Sequence, residues 1–329
     1  MAPEAGGNLT LSPGFILLGF SEVPELQPTI FTLFFSLYAF VVLGNLSMLL
    51  LIKADPQLHS PMYFFLTHLA LIDICLSSAI SPKALETFLL GRSHISFLGC
   101  FAQMYLHLAL IISECLLLGV MAYDRYVAVC QPLLYAATVS KARCCSLMVL
   151  VYTLGFLSSL LHCALAGRLS FCRARSINHF FCELPTLLRL SCSDSRPNET
   201  FQAVQAGLYI MSSLLMILFS YTSILHAILQ IPGARGRLKA FSTCTSHLIA
   251  VAGFYAPGVI AYLQPGQGRR WQGTKLVSAW YTILTPSLNP LIYSLRNEEV
   301  KGALRRMWVR KLGPHLARFG KGISAPWRE

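Results

Sequence analysis

Charge is what this sequence has least of. Asp, Glu, Lys and Arg make up 12% of its 329 residues, about half the roughly 25% usual in a soluble domain. A soluble surface of this size needs far more charge. The shortage excludes a cytosolic enzyme, a disordered chain and a nucleic-acid-binding domain, even though the net charge is +12. There is no nucleophile elbow, HExxH helix or phosphate-binding loop, so no enzyme chemistry is signalled. The first 28 residues contain no Lys or Arg, and so lack the basic n-region of a cleavable signal peptide. Internal repeats, low-complexity tracts and a second domain are also missing.

What the chain has instead is apolar length. Hydrophobic residues make up 55% of it, and mean hydropathy is +0.58. A bilayer-spanning helix needs about 20 mostly apolar residues. Seven stretches qualify: Thr29–Ile52, Pro61–Leu85, Cys100–Tyr126, Cys144–Ala166, Phe201–Leu229, Lys239–Leu263 and Leu276–Leu295. They are continuous rather than alternating, which argues for helices over a β-barrel. The fold class expected is an all-α membrane protein, a bundle of seven transmembrane helices. Residues 1–28 form an outer segment, 29–295 the bundle and 296–329 an inner tail. With the N-terminus outside, inner segments hold sixteen Lys and Arg against nine outside. Basic residues favour the cytoplasmic side, so this orientation is preferred. Asn8-Leu9-Thr10 is then a glycosylation acceptor on the outer side.

Ionisable groups inside a bilayer are expensive and point to function. Asp73 and Glu114 lie mid-span. Counting from Pro61 and Arg125, they sit roughly 18 Å and 16 Å deep at 1.5 Å per residue. Two carboxylates at one level cannot both stay ionised alone. Either a small hard cation such as Na⁺ lies between them, or each is satisfied by hydrogen bonds to neighbouring helices. Asp124-Arg125-Tyr126 stands at the inner end of the third span, where charge is affordable or simply anchors the helix. Asn289-Pro290 and Tyr293 fall within the seventh span. A Pro there frees a carbonyl and offers a hinge.

An ordered series of motifs now becomes legible. Gly44-Asn45 lies in span one, and LHSPMYFFL (58–66) leads into span two. MAYDRYVAVC (121–130) closes span three, and Ser220-Tyr221 lies in span five. KAFSTCTSHL (239–248) opens span six, and PSLNPLIYSLRN (286–297) closes span seven. Together these resemble the odorant receptors, the olfactory branch of the rhodopsin-like G-protein-coupled receptors, and more closely their tetrapod-type class. Departures are few. The loop before Lys239 reads IPGARGRL, and the tail after Asn297 contains no Cys for a palmitoyl anchor.

The resemblance implies a site and a mechanism. A volatile, mostly apolar odorant would bind among His107, Leu108, Ile111, Ile112, Gln205, Tyr209, Val259, Tyr262 and Thr282. No acid is expected to face that pocket, which disfavours a cationic amine. Asp124, Arg125, Tyr126, Tyr221, Asn289, Pro290 and Tyr293 would form the switch to a stimulatory olfactory-type G protein, beside the basic Arg235, Arg237 and Lys239. A short amphipathic helix would follow the seventh span. The family pattern also pairs Cys100–Cys182 and Cys172–Cys192, one of three possible connectivities for four outer cysteines. With Cys182 so engaged, His179 and Glu183 in HFFCE are too few to hold a structural metal. No organic cofactor is implied. A transporter would show inverted repeats, and a receptor for a non-odorant ligand elsewhere is the nearer alternative.

Overall fold

Hydrophobic runs this long satisfy every backbone group internally by coiling into helices, and the computed structural model of the chain is built from them. It describes residues 14–171, 175–230, 232–263, 270–297 and 299–307. Seven helices dominate. They are α1 (Gln27–Ala54), α2 (Pro61–Leu90), α3 (Phe97–Cys130), α4 (Lys141–Ala166), α5 (Arg196–Gln230), α6 (Ala234–Leu263) and a composite α7. The last runs from Arg270–Ala279 through a π-helical turn, Trp280–Leu284, into Thr285–Arg296. Among the described residues, α1 to α5 are each long and apolar enough to cross a membrane.

Helix ends follow local chemistry. Pro61 opens α2 at a position where no N–H is needed. Ser96 caps α3 by accepting from the Gly99 N–H at 3.0 Å, and Ser140 caps α4 through Arg143 N–H at 3.4 Å. α3 is the central post, packed against α2, α4, α5 and α6, while α1 lies against α2 and α7. The main core is a continuous apolar column including Leu69, Leu76, Leu110, Leu117 and Tyr293.

Proline shapes the α1–α7 contact. Pro290 has no N–H to give the carbonyl of Pro286 four residues earlier. Asn45 donates to that carbonyl from α1 at 3.2 Å. Gly44 makes the approach possible, because a Cβ there would lie 3.2 Å from Pro290 Cγ. The Gly44-Asn45 pair is therefore a bracket for the α7 proline.

At the end of the bundle that carries Cys100, the chain forms a small cover. Strands β1 (Phe15–Leu17), β2 (Ser93–Ile95) and β3 (Ser176–Ile177) make a sheet in the order β2-β1-β3. β1 runs antiparallel to β2, with Phe15 opposite Ile95, and parallel to β3, with Leu17 opposite Ile177. Lys275 at the start of α7 is fully buried. It donates to Asn178 Oδ1 at 2.6 Å and to Glu22 at 3.3 Å, while Asn178 donates to Glu22 at 2.9 Å. Residues 14–26 are thus tied to the α4–α5 connection and to α7.

At the opposite end, residues 299–307 are helical. Val300 and Ala303 are buried, Tyr63 donates to Glu299 at 2.7 Å, and Arg306 pairs with Asp55 at 2.7 Å. This stretch is the amphipathic helix expected after the seventh span.

Candidate ligand site

The disulfide Cys100–Cys182 ties the start of α3 to the α4–α5 connection, with Cα atoms 5.4 Å apart. Gln103 reinforces it by accepting the Cys182 N–H at 2.9 Å. Cys192 is also disulfide-bonded, and its expected partner Cys172 lies outside the described residues, as does Asn8. The tether sets the path of the chain beyond Cys182. Glu183 is carried over the mouth of the bundle, and a short helix, Leu184–Leu188, begins at once.

Beneath it is a cavity of about 200 Å³. α3 contributes Met104, His107, Leu108 and Ile111; the tethered segment contributes Glu183, Leu184 and Pro185; α5 contributes Gln202 and the π turn Tyr281. A wider opening of about 370 Å³, between Arg189 and the first turns of α5, shares Pro185 and Gln202 with it.

The wall is mostly apolar with a few polar groups, the usual composition of a small-molecule pocket. Glu183 accepts from Tyr281 at 3.1 Å and from Ser278 at 3.2 Å. Burial pushes its carboxyl up to about 7, with those two hydroxyls pulling the other way. His179 sits 3.7 Å from Glu183. Burial, with the Lys275 ammonium and His107 nearby, pushes the imidazole down to about 3 and keeps it neutral. His107 packs edge-on to Phe181 with ring centroids 4.9 Å apart, and its Nε2 has no hydrogen-bond partner. Among the described residues, no group of three or more His, Cys, Asp or Glu is placed to hold a metal ion.

Of the residues drawn from the resemblance, His107, Leu108 and Ile111 line this cavity. Ile112 is buried beside them in α3. Gln205 bonds to His162, and Tyr209 meets the Ser158 hydroxyl at 2.6 Å, so both face α4. One turn earlier, Gln202 takes the place on the cavity. Thr282 donates back to its own helix at Ser278 O, 2.7 Å away. Its neighbour Tyr281 reaches the cavity because a π turn accommodates one extra residue and rotates the face it presents. The side chains of Val259 and Tyr262 lie outside the described residues.

The expectation that no acid faces the pocket is corrected: Glu183 lines it, directly after the cysteine tethered to α3.

Deeper in the bundle, Asp73 and Glu114 are fully buried. Asn289 donates to Asp73 Oδ2 at 3.0 Å, while Asp73 Oδ1, Glu114 Oε2 and Asn289 Oδ1 have no partner. The two carboxyls are near enough to act on each other electrostatically. At the far end, Asp124 accepts from Tyr135 at 2.8 Å. Among the described residues, no ion pair joins it to Arg125. Tyr126 accepts from Gln131 at 3.3 Å. Tyr221 meets His247 Nδ1 at 2.7 Å, and the buried Tyr293 hydroxyl is unpartnered.

A seven-helix membrane bundle with a disulfide-tethered segment over a small pocket has the architecture of a seven-span receptor. The model of the family described as "Olfactory receptor" matches residues 34–311. Olfactory receptor 8I2 of Homo sapiens is 51% identical over 310 residues, covering 94% of this chain and 100% of that protein. Olfactory receptor 8U9 of Mus musculus is 47% identical over 304 residues, 92% of this chain and 97% of that protein. Olfactory receptor 5F1 of Homo sapiens is 44% identical, again over 92% of this chain. The chain belongs to the olfactory receptor family, G-protein-coupled receptors that cross the plasma membrane several times.

Proposed function

We propose that the chain is an odorant receptor whose ligand occupies the cavity under Glu183. The observation that carries this reading is the hollow bounded by His107, Ile111, Glu183 and Tyr281. At about 200 Å³ it is smaller than the roughly 300–1,000 Å³ of drug-sized sites, which suits a volatile molecule. Apolar contact with Met104, Leu108, Ile111 and Leu184 supplies affinity. His107, Glu183 and Tyr281 orient a hydrogen-bonding head group.

The N-terminus lies outside the cell and the Arg125 end faces the cytoplasm, as the distribution of basic residues favours. Ligand shifts a pre-existing equilibrium toward a state in which the inner ends of α5 and α6 part from α3. Tyr221 then leaves His247, Asp124 and Arg125 rearrange, and a groove opens for a helix of a stimulatory olfactory-type G protein. Pro290 is the hinge, with Asn289 and Tyr293 following it. Cyclic AMP rises as a result. A cyclic-AMP reporter screen against a broad odorant panel tests the reading. A subset of volatiles should elicit a response that Ile111→Trp removes. Activation by every ligand unchanged in Ile111→Trp would displace the site.

Asp73 and Glu114 would hold Na⁺. The oxygen donors suit a hard cation, and the unpartnered oxygens of Asp73, Glu114 and Asn289 leave coordination to spare. Raising Na⁺ at constant ionic strength should lower agonist affinity in the wild type, by linkage. Asp73→Asn and Glu114→Gln should each flatten that dependence. Identical Na⁺ curves in all three proteins would leave the acids as hydrogen-bonded packing groups.

A further inference from the structure

A roomier apolar hollow than the candidate ligand site lies elsewhere, on the outside of the bundle. α4 and α5 are joined near the disulfide end, where Tyr209 meets Ser158 and Gln205 meets His162. Toward the Arg125 end these hydrogen bonds stop and the two helices leave a groove of about 560 Å³. α3 forms its floor. Gly119 there packs against Ser213, whose Oγ would stand 3.1 Å from a Cβ, so any larger residue would fill the base. Leu147, Leu150 and Leu154 of α4 and Met216 of α5 form the walls. Leu150, Leu154 and Met216 are exposed on the surface that faces lipid.

The groove is not uniformly greasy. Its rim carries Arg143, in the first turn of α4. Arg143 uses one N–H on Thr138 O, at 3.0 Å. A guanidinium has about five such donors, so most remain for an anion. From Arg143 to Leu154 the helix climbs eleven residues, roughly 16 Å. That is about half the hydrocarbon thickness of a bilayer, the depth of one leaflet.

We propose that this groove is a binding site for one anionic phospholipid, with an acyl chain along Leu147, Leu150 and Leu154 and the phosphate on Arg143. Charge complementarity and an apolar trough one leaflet deep select that class over a neutral lipid. The cytoplasmic leaflet supplies it, given the orientation proposed above. The rim is also the short helix Tyr135–Thr138, whose Tyr135 holds Asp124, so the lipid bears on the switch.

The test uses the full chain, purified into phosphatidylcholine nanodiscs. These contain a trace of phosphatidylserine with a diazirine midway along one acyl chain. Both leaflets then have the same composition, so the result is independent of which way the receptor faces in the cell. After irradiation, label should concentrate on residues 147–154 and 212–216. Arg143→Gln should reduce it about fivefold, the scale of one exposed charge contact, and Arg143→Lys should retain most of it. Ser212→Trp, at an exposed position lining the groove, should block labelling with Arg143 intact. Lys141→Gln, close by on α4 but off the groove, should change nothing. Three results would overturn the site: label spread evenly to the exposed faces of α1 and α2, equal labelling by the matching phosphatidylcholine probe, or no effect of Arg143→Gln and Ser212→Trp.

Discussion

Glu183 is a carboxyl held against two hydroxyls in a space that excludes most water, and it titrates close to physiological pH. Its value is raised from 4.5 to about 7. The folded state therefore binds this proton more tightly than the unfolded chain does. The stability this contributes is complete below about 4.5 and is lost as pH climbs through about 7. Glu183→Gln mimics the protonated form, so it should gain thermal stability relative to the wild type at pH 8 and lose that gain at pH 5. Ligand binding carries the opposite signature for different head groups. A ligand offering a donor gains from ionised Glu183, so its affinity should rise as pH passes upward through 7, and a ligand offering an acceptor should lose affinity. Glu183→Gln should flatten both curves in a binding titration across pH. A second residue-scale outcome concerns the switch. Arg125→Ala should leave the receptor at the cell surface and unable to raise cyclic AMP, checked by surface staining beside the reporter assay. A full odorant response would remove Arg125 from the mechanism.

Among the elements, the α1–α7 contact shows how far a motif reads by itself. Gly44-Asn45 and the proline of PSLNPLIY are plain in the sequence, as separate signals. That one repairs the backbone defect of the other depends on two helices meeting, which no local pattern encodes. Asn45→Ala should leave the Pro286 carbonyl uncovered and cost about 1–3 kcal/mol, the penalty for a buried unpaired acceptor. A lower thermal midpoint in purified receptor measures it. The helices themselves were legible because twenty-residue apolar runs admit few other structures in a bilayer. The π turn at Trp280–Leu284 was not, since its extra residue answers to packing around Tyr281 and Glu183. For that reason Thr282, read as a pocket residue, turns inward to its own helix while Tyr281 takes the cavity. Strand β1 was equally hidden. Three residues, Phe15–Leu17, show no period, and their pairing comes from segments about 80 and 160 residues away along the chain.

At the scale of the whole molecule, the Cys100–Cys182 tie sets the architecture at the pocket. Cys100–Cys182 closes a loop with a sequence separation of 82, and such closures stabilise by about 2–4 kcal/mol. Cys100→Ser or Cys182→Ser should abolish surface expression, whereas Cys163→Ser, a free thiol packed against the apolar cluster around the disulfide, should be nearly silent. Surface staining of the three variants decides it. The family pattern supplied this pairing before any geometry did, and the motifs likewise located the α3 wall of the cavity. They did not locate the roof, because Glu183 and Pro185 reach the pocket through the tether rather than through helical periodicity.

The cover over that roof bears on time as well as on fit. β1, β3, Asn178 and the buried Lys275 form the cover at the pocket's end of the bundle. Among the described residues, an opening runs sideways past Pro185 and Gln202, between the Leu184–Leu188 helix and α5. For a ligand that leaves the proposed site by that passage, the width of the passage would govern the escape rate independently of how well the head group is held. Two odorants of equal affinity but different girth would then leave at different speeds, and the duration of the response after the stimulus is withdrawn would follow molecular width rather than potency.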